Sequence, residues 1–114
     1  MVKLTTGIVV LIPFPFSDLS KSKLRPAVVL ADVGRDDWVL CQITSNPYGD
    51  HQSIPLTEMN FATGSLPLES YVRPDKLFTA NNNLVLKQVG TLNTKTFKQI
   101  IDAVINILYR DLRS

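Results

Sequence analysis

A chain of 114 residues with 45% hydrophobic and 19% charged side chains is the size of one domain with one core, which excludes a disordered or collagen-like polypeptide. The formal net charge is only +2, yet it is uneven: residues 1–30 carry four cations and one anion, residues 31–92 four and seven, and residues 93–114 four and two. The lone cysteine, Cys41, excludes an intramolecular disulfide and a cysteine-based zinc cage.

In chain order, Met1 to Thr6 lacks the basic and apolar regions of a signal peptide. Ile8 to Ile12 is β-branched and continuous, a buried strand expected to stop at Pro13 and far too short for a membrane span of ~20 residues. Pro13 to Lys23, with two prolines and three serines, reads as a loop. Ala27–Leu30 and Trp38–Thr44 read as two strands of a hairpin, with a turn over Asp32–Asp37. A polar loop from Ser45 to Ser53 leads to Ile54–Leu56, a short or edge strand. Tyr71–Phe78 is a strand whose Pro74 confines it to an edge or a bulge. Asn81–Asn83 is a turn, and Leu84–Gly90 alternates as a half-buried strand does. Phe97, Ile100, Ile101, Val104, Ile105, Leu108, Tyr109 and Leu112 recur at helical period, with Asn93 or Thr94 as N-cap. The expected architecture is mainly β: a small antiparallel barrel closed by a C-terminal helix, in a single domain over residues 1–114. The helix stripe is wide enough to serve both a core and an interface. A cytoplasmic protein without membrane contact is expected.

Several sites are missing from the sequence. The five glycines stand apart, so no phosphate loop exists, and one histidine, His51, makes a paired-histidine metal site or a Ser-His-Asp triad improbable. His51, beside Asp50 in a polar loop, reads as a solvated side chain. The first loop places Phe14, Phe16 and Ser17 beside Lys21 and Lys23. Aromatic faces for bases and ammonium groups for phosphates suit single-stranded nucleic acid, although the two phenylalanines could equally anchor the loop to the core. Arg25 precedes Pro26, which biases it to extended geometry and aims its phosphate-matching fork. Thr44 and Ser45 end the third strand, so pairing of strands two and three would bring Thr44 near Arg25. Arg73 and Asp75 share one strand face and read most simply as an ion pair.

Five segments, taken together in order and spacing, resemble the MazF/PemK family of toxins from toxin–antitoxin pairs. They are Gly7-Ile8-Val9-Val10 with Pro13-Phe14-Pro15-Phe16-Ser17-Asp18-Leu19, Lys23-Leu24-Arg25-Pro26-Ala27-Val28-Val29-Leu30, Gln42-Ile43-Thr44-Ser45, Ser70-Tyr71-Val72-Arg73-Pro74-Asp75-Lys76-Leu77, and Val89-Gly90-Thr91-Leu92. The resemblance implies an SH3-like barrel, a homodimer and a metal-independent endoribonuclease without cofactor that cuts single-stranded mRNA at short sequences. It also implies a cognate antitoxin that threads the RNA groove, and contact with operator DNA only through the antitoxin complex. By position it implies catalytic roles for Arg25, Thr44 and Asp75, and RNA-binding roles for Phe16, Ser17, Lys21, Lys23, Ser45 and Arg73. Ile8 stands where many members carry Asp, and no histidine lies in the first loop, which leaves the general base open. The chemistry implied is attack of the ribose 2′-hydroxyl on the adjacent phosphorus, giving 2′,3′-cyclic phosphate and 5′-hydroxyl ends, with Arg25 and Thr44 stabilising the phosphorane. Two other readings compete. One is a toxin-fold binding module that acts on a protein such as gyrase or binds nucleic acid without cutting it, and the other is a purely structural barrel.

Overall fold

A computed structural model describes residues 2–15, 22–46 and 52–113. Among them, in chain order, are β1 (Ile8–Pro15), β2 (Ser22–Gly34), β3 (Asp37–Thr44), β4 (Ile54–Leu56), β5 (Phe61–Gly64), β6 (Ser70–Asn81), β7 (Lys87–Leu92) and α1 (Thr94–Arg113). The strands form one antiparallel sheet in the order β4-β6-β3-β2-β1-β7-β5. It curls into a half-barrel whose edge strands, β4 and β5, are joined by a short 3-10 turn at Glu58–Asn60. The expected mainly β fold with a terminal helix is therefore met.

The β2–β3 hairpin turns on Arg35 and Asp36, at φ 57° and 64°. Both lie in the left-handed region, as in the primed turns whose twist matches that of the flanking strands. Asp32 Oδ1 steadies the approach by accepting the Gly34 N–H at 2.8 Å.

β1 does not stop at Pro13 but runs on to Pro15. The Leu11 carbonyl accepts the Leu86 N–H at 2.9 Å, so residues of its parity, Pro13 and Pro15 included, turn their backbone polar groups away from β2. The β1–β7 ladder ends at Leu11↔Lys87. Both proline nitrogens thus face away from β2, past the last β7 partner among the described residues, where the missing N–H costs no bond of either ladder.

Pro74 takes the bulge that was one of its two expected places. The β3–β6 register steps from Cys41↔Leu77 to Gln42↔Arg73, leaving residues 74–76 out of the ladder, and Pro74 is buried there. The strand expected at Leu84 begins only at Lys87, because Asn82–Leu84 closes a 3-10 turn. Asn81 Oδ1 caps that turn by accepting the Asn83 N–H at 3.1 Å. β5 has no counterpart in the sequence reading. It lies so close to β7 that a Cβ at Gly90 would stand 2.8 Å from the Thr63 carbonyl oxygen and 2.9 Å from the Phe61 ring.

Both faces of the sheet carry apolar clusters. Val9, Val28, Cys41, Ile43 and Val72 pack with Ile100 and Val104 of α1, while Val10, Ala27, Val29, Leu40 and Ala80 pack on the other face. Asn93 caps the helix: its Oδ1 accepts the Thr96 N–H at 2.8 Å. The apolar stripe divides along the helix. Ile100 is fully buried, whereas Leu108 and Leu112 are 64% and 78% exposed. No helix among the described residues is long and apolar enough to cross a membrane.

Candidate functional site

The site begins with a proline. Pro26 stands opposite Leu11, whose polar groups point away from β2, so the Pro26 nitrogen faces β3. It has no proton to give, and the β2–β3 ladder stops one residue short, at Ala27↔Gln42. Beyond that point, among the described residues, β2 pairs with β1 and no longer with β3.

Arg25 and Thr44 border this gap. Each lies two residues from the Ala27–Gln42 pair, so their side chains share one face of the sheet. Lys23 follows on that face of β2, exposed, and Arg73 joins it from β6 as the cross-strand partner of Gln42. Thr44 is 5% exposed, and its Oγ1 accepts the Asn46 N–H at 3.1 Å. That bond fixes the hydroxyl and turns the chain at exposed Ser45, leaving the Thr44 O–H as a donor.

A cavity of about 280 Å³ opens at the gap, lined by Lys23, Arg25, Thr44 and Ser45 together with apolar groups of Leu24, Pro26, Ile43 and Leu68. The structure thus gathers four of the residues singled out in the sequence. Arg73 and Asp75 are not in its lining. They meet each other instead, Arg73 Nη2 to Asp75 Oδ2 at 3.5 Å, the ion pair that their spacing suggested. Phe16, Ser17, Lys21 and His51 lie outside the described residues. The segment Leu66-Pro67-Leu68, also in the lining, escaped the sequence reading. It carries no ionisable or nucleophilic group, so only its position reveals it.

Among the described residues, no group of three or more His, Cys, Asp or Glu is placed to hold a metal ion. Cys41 is buried, and burial pushes its thiol up to about 12, which leaves it protonated and unreactive at neutral pH.

Over residues 5–108 the sequence matches the family described as PemK-like, MazF-like toxin of type II toxin-antitoxin system. The chain belongs to that family. Solved structures share its MazF-like fold. An endoribonuclease in complex with its cognate antitoxin, from a mycobacterial species, superposes with TM-score 0.70 at 18% identity over 95% of each chain. A MazE-MazF structure from Deinococcus radiodurans gives TM-score 0.71 at 16% identity, over 90% of this chain and 94% of that one. The Mycobacterium tuberculosis toxin MazF-mt6 gives 0.65 at 18% identity, over 87% and 95%. At such identities the likeness is one of fold. No curated protein is significantly similar by sequence.

Proposed function

We propose that this MazF/PemK-family protein is an endoribonuclease toxin that cuts single-stranded RNA at short sequences without a metal ion. The observation that supports the reading is the placement of Arg25 and Thr44 on one face of the sheet, both lining one cavity where the β2–β3 ladder stops. Two similar folds, both from mycobacterial species, are described as endoribonucleases, one of them bound to its antitoxin.

In this reading the nucleophile is the substrate's own 2′-hydroxyl. Its oxygen forms a bond to the adjacent phosphorus as the bond to the 5′-oxygen breaks and that oxygen takes a proton from water, leaving a 2′,3′-cyclic phosphate and a 5′-hydroxyl. An internal nucleophile needs no metal-activated water. What the site must supply is positive charge and donors for the crowded phosphorane, the kind of preorganised stabilisation that is usually the largest catalytic contribution. Arg25 offers a planar, permanently charged fork to two phosphate oxygens, and Thr44 donates its hydroxyl proton to a third. Lys23 and Ser45 hold the flanking backbone, with Phe16, Ser17 and Lys21 of the first loop as further contacts. Asp75 accepts the 2′-hydroxyl proton, and Arg73 steers the carboxylate through their ion pair.

The proposal extends to partners. A cognate antitoxin occupies the RNA-binding surface, operator DNA is reached only through that complex, and two copies of the chain form a homodimer in the cytoplasm. Purified protein in EDTA should cut single-stranded RNA and spare DNA of the same sequence. Arg25→Ala should abolish both cleavage and growth inhibition. Growth inhibition that survives Arg25→Ala, with no RNA cut by the wild type, would make the protein a binding module acting on another target.

A further inference from the structure

We infer that a second cavity, at the turn end of the β2–β3 hairpin, binds an adenine ribonucleotide. The site is separate from Arg25 and Thr44: Gly34, where β2 enters the turn, lies nine residues along the strand from Arg25, roughly 30 Å at ~3.3 Å per residue. The cavity, of about 310 Å³, is lined by Val2, Lys3, Leu4, Asp36, Trp38 and Asn82. Asn82 singles it out. The residue is 7% exposed and lines the cavity, yet its side-chain amide makes no hydrogen bond among the described residues. Buried polar groups normally have a partner. Its neighbour shows the contrast: the Asn81 side chain donates from Nδ2 to Asp37 Oδ1 at 3.0 Å and accepts the Asn83 N–H at 3.1 Å. Asn82 is held by its backbone instead, its N–H donating to the Asp36 carbonyl at 2.7 Å and its carbonyl accepting the Val85 N–H at 3.1 Å. Those bonds pin the end of β6 to the hairpin turn and set the cavity wall in place without using the Asn82 amide.

The residues around that amide define the ligand. Trp38, the only tryptophan in the chain, is half-buried: it packs on the core cluster that includes Leu4, and it also lines the cavity. An aromatic ring beside a carboxamide suits a single base, the ring stacking on the base face while the amide donates and accepts along its edge. Adenine is the base whose N6 amino group and N7 match an asparagine amide in two hydrogen bonds. The exposed rim carries both signs of charge. Lys3 meets the phosphate, and Asp36 accepts from the ribose hydroxyls. The space is at the lower end of the ~300–1,000 Å³ of small-ligand pockets, the scale of one nucleotide rather than of a longer segment.

Trp38 supplies its own reporter. Its fluorescence is followed while AMP is added to the full chain, with ribose 5-phosphate and CMP as controls. AMP should quench it saturably, ribose 5-phosphate should leave it unchanged, and CMP should bind about tenfold or more weaker, the usual worth of a bidentate base contact. Asn82→Ala keeps both backbone bonds and should weaken AMP by a similar factor, with circular dichroism verifying the fold. Lys3→Ala, at an exposed position, should weaken AMP and leave adenosine unchanged. Arg25→Ala should bind AMP as the wild type does. On that background a hexamer of adenylate is compared with AMP: tighter AMP assigns the site to a free nucleotide, tighter hexamer to one residue of an RNA. No saturable quenching by either would overturn the site, as would equal quenching by ribose 5-phosphate, wild-type affinity in folded Asn82→Ala, or loss of AMP with Arg25→Ala. RNA cleavage is scored separately, so failure of the nuclease reading and failure of this site are distinct results.

Discussion

Arg25 and Cys41 show how position decides chemistry. Arg25 stands just past the point where Pro26 ends the β2–β3 ladder, and it lines the cavity there. Removing it should lower RNA cleavage by ~10²–10³, the usual loss when one preorganised donor to a transition state is deleted, measured as initial rates on a fluorogenic oligoribonucleotide. Cys41 is the opposite case. Its thiol is pushed up from the ordinary 9.0 to about 12 by burial, so the folded protein holds the proton more tightly than the unfolded chain does. The stability this contributes is complete below pH 9 and is lost as pH climbs toward 12. Denaturant melts of wild type and Cys41→Ala should therefore converge through the alkaline range, by up to about 1.4 kcal/mol per pH unit. Equal pH slopes for the two proteins would contradict this account.

Elements built on repetition were legible in the sequence, and those built on a single contact were not. The α1 stripe repeats over four turns and the hairpin strands are dense in β-branched residues, so both announce themselves. The placement of Arg25 and Thr44 on one face of the sheet follows from that hairpin. By contrast, the run of β1 through Pro13 and Pro15 depends on where β7 ends, which no local pattern reveals. β5 is shorter still: Phe61-Ala62-Thr63-Gly64 has no alternation, and it exists because Gly90 lets β7 approach it. Gly90→Ala should push the two strands apart and cost about 1–3 kcal/mol in thermal or denaturant unfolding, the usual penalty for overpacking. An unchanged midpoint would mean that the contact is slack.

For the whole molecule, the unfinished business lies at the far end of α1. Ile105, Leu108, Tyr109 and Leu112 remain 42%, 64%, 52% and 78% exposed, a run of apolar side chains on the outer half of an otherwise packed helix. Apolar surface of this kind marks contact with another macromolecule, and in the proposed homodimer it is covered by the second copy. Sedimentation velocity at micromolar concentration should report a dimer for the wild type and a shift to monomer for the double variant Leu108→Glu with Leu112→Glu. A wild-type monomer would assign the stripe to some other partner.

The sheet order places β1, the first strand made, between β2 and β7, the last. A growing polypeptide can form the β1–β2–β3 ladders early, but one flank of β1 stays bare until residues 87–92 leave the ribosome, and Ile100 and Val104 cover the core later still. Native architecture thus waits for β7 and α1. For a toxin, such an arrangement delays harm until both have been made, and limited proteolysis of stalled nascent chains should find them cut readily until α1 has emerged.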